Sequence, residues 1–195
     1  MYFFFNIKDN QFAMTTTTIK SYFEKDLKTD ILLKTNYKNV FEGPTLNKIV
    51  LNVGVKEANV NLNKILIPML VSKLLTQQQP TFTKAHKSIA NFKLREGKII
   101  GCKVTLRNKN KNNFLEKLVH IVIPQLAEHS KLRYKNRRPS NDINLGIEDC
   151  NFFFELENQY DTITEIIGIN ININSKEKKQ NKDNLLYSGL KFKFQ

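Results

Sequence analysis

The chain has 195 residues, 41% of them hydrophobic, with 31 Lys and Arg against 18 Asp and Glu and a formal net charge of +13. That length can bury one substantial core, while two cysteines, Cys102 and Cys150, exclude a disulfide framework or a zinc site, and no run approaches the roughly 20 apolar residues of a membrane span. The excess charge is concentrated: residues 64–138 hold 17 basic and 3 acidic groups, against 8 and 6 before them and 6 and 9 after, the distribution expected of one polyanion-binding face.

The opening MYFFFNIKDNQFAMTTTT contains no Arg, holds Asp9 and has only a short apolar part, so neither a secretory signal nor an import peptide is expected. Lys outnumbers Arg by 26 to 5, and Asn, Ile and Phe are abundant. These residues are favoured by A/T-rich codons, which points to an organelle-encoded protein, with an A/T-rich bacterium as the alternative.

From about Thr16 to Leu33, the residues Ile19, Tyr22, Phe23, Leu27 and Ile31 recur at spacings of three and four and predict an amphipathic helix. After the break at Gly43 and Pro44, a strand is expected from Asn47 to Val55, in which Asn47, Ile49, Leu51, Val53 and Val55 alternate with Lys48, Val50, Asn52 and Gly54 and form one apolar face. A second helix is expected from about Asn59 to Leu75, with Pro68 either kinking it or marking a delayed start.

Phe92 to Arg95 and Ile99 to Arg107 read as two strands of a hairpin joined by Glu96-Gly97-Lys98. Period-two parity puts Ile100, Cys102, Val104 and Leu106 on the core side, with Gly101, Lys103, Thr105 and Arg107 opposite. Phe114, Leu115, Leu118, Val119 and Val122 predict a third helix perturbed by Pro124. Ser130 to Asn144 reads as a long basic loop, Asn151 to Glu157 as a strand, and Ile166 to Asn174 as another, in which Ile and Asn alternate.

The expected fold is α+β: a mainly antiparallel sheet of about five strands with helices on one face and long basic loops. Its expected organisation is an N-terminal extension and first helix over residues 1–35, one RNA-binding domain over 36–175, and a charged hinge with a C-terminal helix over 176–195.

No catalytic constellation emerges. His86, His120 and His129 are dispersed, without ligand spacing, and the acids of the basic segment, Glu96, Glu116 and Glu128, do not form a pair. Gly97-Lys98 lacks the preceding glycine of a phosphate loop, since Phe92 stands at the required position. No catalytic residue, metal or cofactor is therefore expected. A basic sheet face and a polar loop, Thr81 to Phe92, remain, suited to phosphates and sugars through Lys and Arg and to base edges or ribose hydroxyls through Asn, Gln and Thr.

Three stretches, LNKIVLNVGVKEA (Leu46 to Ala58), TKAHKSIANFKLREGKIIGCKVTLR (Thr83 to Arg107) and FLEKLVHIVIP (Phe114 to Pro124), closely resemble large-subunit ribosomal protein five of the bacterial type. Weaker similarity extends from Asn36 to the terminal Phe192-Lys193-Phe194. The resemblance implies a non-enzymatic protein that anchors 5S rRNA in the central protuberance, touches large-subunit rRNA and sends a loop to the P-site tRNA.

By the same resemblance, the 5S rRNA contacts fall on Asn52, Gln78 and Thr105, with Lys103 and Arg107 beside Thr105 on the same strand. The tRNA loop corresponds to Thr83, Lys84, His86, Lys87, Ser88 and Asn91, where His86 replaces a usual Arg or Lys. Arg133, Lys135, Arg137 and Arg138 are expected at further rRNA contacts or at a bridge to small-subunit protein thirteen. The family's F-D-G-R-G-N-Y is here Arg137-Arg138-Pro139-Ser140-Asn141-Asp142-Ile143, which lacks both glycines. The resemblance and the codon bias together imply a ribosome of the mitochondrial matrix, with a bacterial cytoplasm or a plastid as alternatives. A free RNA chaperone or regulatory RNA binder is the competing function.

Overall fold

The computed structural model describes residues 22–34, 45–55, 61–128, 132–136, 142–159 and 167–176, together with Asn39, Phe41, Gly43, Ala58 and Ile163. The expected C-terminal hinge and helix, the start of the first helix, and His129, Arg137 and Arg138 lie outside the described residues.

Among the described residues, six strands form one antiparallel sheet: β1 (Thr45–Gly54), β2 (Thr81–Lys84), β3 (Ile99–Leu106), β4 (Leu132–Asn136), β5 (Ile143–Ile147) and β6 (Ile169–Lys176), in the spatial order β2-β3-β1-β6-β5-β4. The α+β class and antiparallel sheet are as expected. The described α-helices are α1 (Lys28–Lys34), α2 (Leu66–Thr76), α3 (Asn108–Lys117) and α4 (Ile123–Glu128). Of these, α2 packs on β1 and β3, α3 on β1, and α4 on β4.

Alternation drives the sheet onto this layer. Ile49, Leu51 and Val53 of β1, Cys102, Val104 and Leu106 of β3, Leu145 of β5 and Ile169, Ile171 and Ile173 of β6 are all buried. They meet Val71 and Leu75 of α2 and Phe114 and Leu115 of α3 in one core, with Phe114 stacked on Phe153 at a ring separation of 6.2 Å. Along α2, Pro68, Val71, Ser72 and Leu75 are buried, whereas Leu66 and Leu70 are exposed. Pro68 sits in the first turn, where its missing N–H costs nothing, so the delayed start is realised and sets the phase of the buried stripe.

Pro124 acts differently. Between α3 and α4 the chain widens into a π-helical turn, Leu118–Val122, in which Ile123 N–H donates to the carbonyl of Leu118. A proline cannot donate and its ring crowds the carbonyl four residues back, so the wider turn accommodates both effects without ending the helix.

Three expectations are corrected. Ser130 to Asn144 is not one long loop, because Leu132–Asn136 and Ile143–Ile147 pair as β4 and β5. The former is an edge strand, whose charged residues hide the usual apolar alternation. Asn151 to Glu157 is not a strand: it forms two 3₁₀ turns, Cys150–Phe152 and Phe154–Gln159, with Phe153 and Leu156 buried three residues apart and Asp149 Oδ1 accepting from Asn151 N–H at 3.0 Å. Phe92 to Arg95 is not a hairpin strand either. The partner of β3 is β2, and Phe92 is 70% exposed.

Both cysteines are free and buried. The Sγ of Cys102 lies 3.4 Å from Ser72 Oγ, and the thiol of Cys150 donates to the carbonyl of Ile167 at 2.6 Å. Among the described residues no helix is long and apolar enough to cross a membrane.

Candidate nucleic-acid interface

One sheet face carries the helices; the other is open and polar. Backbone register aligns residues from distant parts of the chain in rows across it. Thr81, Lys103, Asn52, Asn170, Gly146 and Arg133 form one row. Thr105, Val50, Asn172, Asn144 and Lys135 form the next. Lys103 and Thr105 are exposed while Cys102, Val104 and Leu106 are buried, as parity in the sequence predicts.

Asn52 lies directly opposite Lys103, so a cation and a neutral amide stand side by side, about 5 Å apart at Cβ. Thr81 Oγ1 donates to the Lys103 carbonyl at 3.1 Å. Arg107 is exposed at the N-terminal cap of α3, just beyond the end of β3. Gln78 is half-buried after the left-handed C-cap of α2, Gln77. Its N–H donates to Thr76 Oγ1 at 3.3 Å, and that hydroxyl in turn donates to the Ser72 carbonyl at 2.7 Å. Arg133 and Lys135 occupy register positions on β4, opposite Gly146 and Asn144.

The segment between β2 and β3 folds back on itself. At its base, Ala85 N–H donates to the Lys98 carbonyl at 2.8 Å and Gly97 N–H to the Ala85 carbonyl at 3.0 Å. Nearer the tip, Ile89 and Leu94 exchange bonds of 2.9 and 3.1 Å around the 3₁₀ turn Ala90–Phe92. Gly97 and Lys93 supply the positive φ angles, 80° and 51°, that these reversals require. Ser88 Oγ accepts from Glu96 N–H at 3.0 Å, so this expected contact residue also braces the loop. Lys84, His86, Lys87, Ser88 and Asn91 are exposed and Thr83 is partly so.

Two exposed apolar residues on this loop, Ile89 and Phe92, escaped the sequence reading. Phe92-Lys93-Leu94-Arg95 alternates apolar and basic residues as a half-buried strand does, which conceals the exposure of Phe92. An exposed aromatic ring among Lys84, Lys87 and Lys93 is a platform on which an unpaired base can stack.

The junction of β1, β2 and β3 is closed by a glycine. A Cβ on Gly101 would lie 2.3 Å from the Val53 carbonyl oxygen and 3.2 Å from Thr83 Oγ1. Only a residue without a side chain lets these strands approach at the top of the basic row.

On the helical side, a cavity of about 230 Å³ is lined in part by Asn113, Lys117, Phe153 and Glu155. None of its lining residues belongs to the basic rows, and its Lys117 is ion-paired with Glu155. Among the described residues no group of three His, Cys, Asp or Glu could hold a metal ion. The arrangement suits phosphate and sugar contacts by cations and hydrogen bonding by amides.

Comparison with known proteins agrees with this surface. The family described as Ribosomal protein L5 matches residues 39–95, and the family described as the C-terminus of the same ribosomal protein matches residues 99–194. Large ribosomal subunit protein uL5m of Reclinomonas americana is 37% identical over 171 residues, 88% of this chain and 94% of that protein. Large ribosomal subunit protein uL5 of Nitrosomonas europaea is 37% identical over 175 residues, 89% and 96% of the two chains. The uL5 of Buchnera aphidicola is 33% identical over 178 residues, 91% and 98%. Family matches that run almost the full length of the sheet, and relatives covered nearly end to end, place this chain in the ribosomal protein L5 family, a structural and non-enzymatic component of the ribosome.

Proposed function

We propose that this chain is a structural constituent of the large ribosomal subunit whose open sheet face binds RNA, with 5S rRNA and large-subunit rRNA of the central protuberance as the ligands. The observation that carries this reading is the row in which Thr81, Lys103 and Asn52 lie side by side on one exposed face, with Thr105 in the next row. Lys103 and Arg107 position a backbone through phosphates, and Asn52, Thr105 and Gln78 offer neutral donors and acceptors.

The self-braced loop is the P-site tRNA contact. Its exposed Lys84, His86 and Lys87 meet phosphates, Thr83, Ser88 and Asn91 meet sugars, and Phe92 offers a stacking surface. Internal bonding at base and tip supports this assignment, because a preorganised loop gives up little conformational freedom on binding. The basic segment containing Arg133, Lys135, Arg137 and Arg138 takes a further rRNA contact or the bridge to small-subunit protein thirteen. The similarity to a mitochondrial uL5m, together with the Lys, Asn, Ile and Phe bias, favours the mitochondrial matrix as the site of the ribosome.

The test is ultraviolet crosslinking in native particles with sequencing of the attached RNA. Crosslinks from Asn52 and Thr105 to a 5S-type RNA, and from Lys84 to Lys87 on tRNA, are expected. Crosslinks scattered over messenger RNAs, with the protein sedimenting free of the large subunit, would instead establish a free RNA chaperone.

A further inference from the structure

Most of the open face away from β3 is built of asparagine. Asn170, Asn172 and Asn174 alternate along β6 with Ile169, Ile171 and Ile173, and the isoleucines enter the core. Asn170 faces Asn52 of β1 and Asn172 faces Asn144 of β5. Asn47, at an irregularity in the β1 register, donates through Nδ2 to Asn174 Oδ1 at 3.3 Å.

Asparagine is depleted in strands, because its short amide competes for the backbone. Threonine or valine would suit each position better, and a merely solvated sheet face would be served by Thr, Lys or Glu. Six such residues gathered on three adjacent strands break the local preference together, which marks a surface whose chemistry matters.

The amides are also held in place. Asn172 Nδ2 donates to Asn144 Oδ1, and Asn174 Nδ2 lies 2.9 and 3.0 Å from the two Asp142 carboxylate oxygens. An amide has two donor hydrogens and an oxygen with two lone pairs, so these lateral bonds occupy only part of the capacity of Asn172 and Asn174. Asn52 and Asn170 make no side-chain hydrogen bond among the described residues.

The Asp142 carboxylate marks the Asn174 end of this amide field, and basic residues stand in register on the strands at either side. Lys103 stands on β3, and Arg133 and Lys135 occupy the corresponding register positions on β4. The two strands are four steps apart in the sheet order, roughly 19 Å at the usual strand spacing.

We propose that the asparagine lattice of β1, β5 and β6 binds the sugar edge of a double-helical RNA segment. Its amides bond ribose 2′-hydroxyls and minor-groove base edges, while the basic strands on either side hold the two phosphate backbones. The minor groove of A-form RNA is wide and shallow and displays uncharged hydroxyls and base edges, the donor and acceptor pattern that amides match. Phosphates alone would call for cations across the whole face, and a protein partner for an apolar centre. The proposal rests on the RNA-binding reading above and extends it from the basic strand across the rest of the sheet.

The test uses the full-length protein and 5S rRNA transcribed from the Nitrosomonas europaea sequence, in two forms: all-ribose, and carrying 2′-fluoro pyrimidines, which keep A-form sugar geometry but remove the hydroxyl donor. The unmodified protein should prefer the all-ribose RNA. Asn170→Ala with Asn172→Ala should weaken binding of that RNA about tenfold and abolish the preference. The dependence on salt should stay unchanged, because every cation that meets a phosphate is still in place.

Asn170→Val with Asn172→Val, which favours the strand and carries no hydrogen-bonding group, controls for folding and should show the same loss of preference at undiminished thermal stability. Undiminished affinity and preference in both variants, or no preference in the unmodified protein, overturns the lattice proposal while leaving the basic face standing. Failure of the unmodified protein to bind either transcript in a salt-dependent manner overturns the RNA-binding reading itself.

Discussion

Cys150 couples the core to pH. Burial, with the negative charge of Asp149 adding to it, pushes its thiol far above the usual 9.0. Above pH 9 an unfolded chain therefore releases a proton that the folded chain keeps, and stability falls as pH rises. The slope is about 1.4 kcal/mol per pH unit, and below pH 8 this group contributes no pH dependence. Cys102 shifts in the same direction through burial, partly opposed by its bond to Ser72. Lys111 works the other way. Its ammonium donates to the Leu46 carbonyl at 2.6 Å, but burial lowers its pKa from 10.5, so stability gains as pH rises through the window just below that value. Comparing Cys150→Ala with the unmodified protein isolates the thiol: in urea titrations the stability difference should shrink by about 1 kcal/mol between pH 9 and 10, where the unfolded thiol is still passing through its titration. A difference that stays constant would mean the folded thiol ionises as freely as the unfolded one. At the strand junction, Gly101→Ala should cost about 1–3 kcal/mol, because its Cβ would meet a backbone oxygen rather than a flexible side chain.

Strand β6 lies between β1 and β5 and is bonded to both. Ile171, facing Leu51 and Leu145 on those strands, is buried. Ile171→Ala should destabilise the protein by about 2–5 kcal/mol in denaturant titration, whereas a loss under 1 kcal/mol would mean the layer beneath collapses to fill the space. β1, β3 and β6 are legible in the sequence because each alternates cleanly between a buried and an open face. β4 is not, since Arg133 and Lys135 give an edge strand the look of a basic loop. The turns around Phe153 and Leu156 mimic a strand because a short apolar run cannot distinguish a spacing of two from one of three. At the candidate site, parity exposes Lys103 and Thr105. The pairing of Asn52 with Lys103, and the meeting of Asn144 with Asn172, follow from register and strand order, which periodicity does not encode.

At the scale of the molecule, charge is divided between a sheet face and a projecting loop, and the two should respond differently to mutation. Lys84→Ala with Lys87→Ala changes only exposed residues, so fold and subunit assembly should persist. tRNA occupancy should fall, and the slope of log affinity against log salt should decrease by about 0.7–0.9 for each phosphate no longer neutralised. Failure of assembly in that variant would place the loop against rRNA instead. The sheet interleaves the two family segments: β1, from the first, lies between β3 and β6, both from the second. Thr45 pairs with Lys176 across most of the chain, and such distant pairings form slowly. During synthesis β1 emerges long before β6, and the β2-β3-β1 and β5-β4 portions cannot join until residues 169–176 have left the exit tunnel. A translating ribosome that stalls before that point releases a nascent chain with two unpaired strand edges, the kind of product that chaperones must shield or proteases remove.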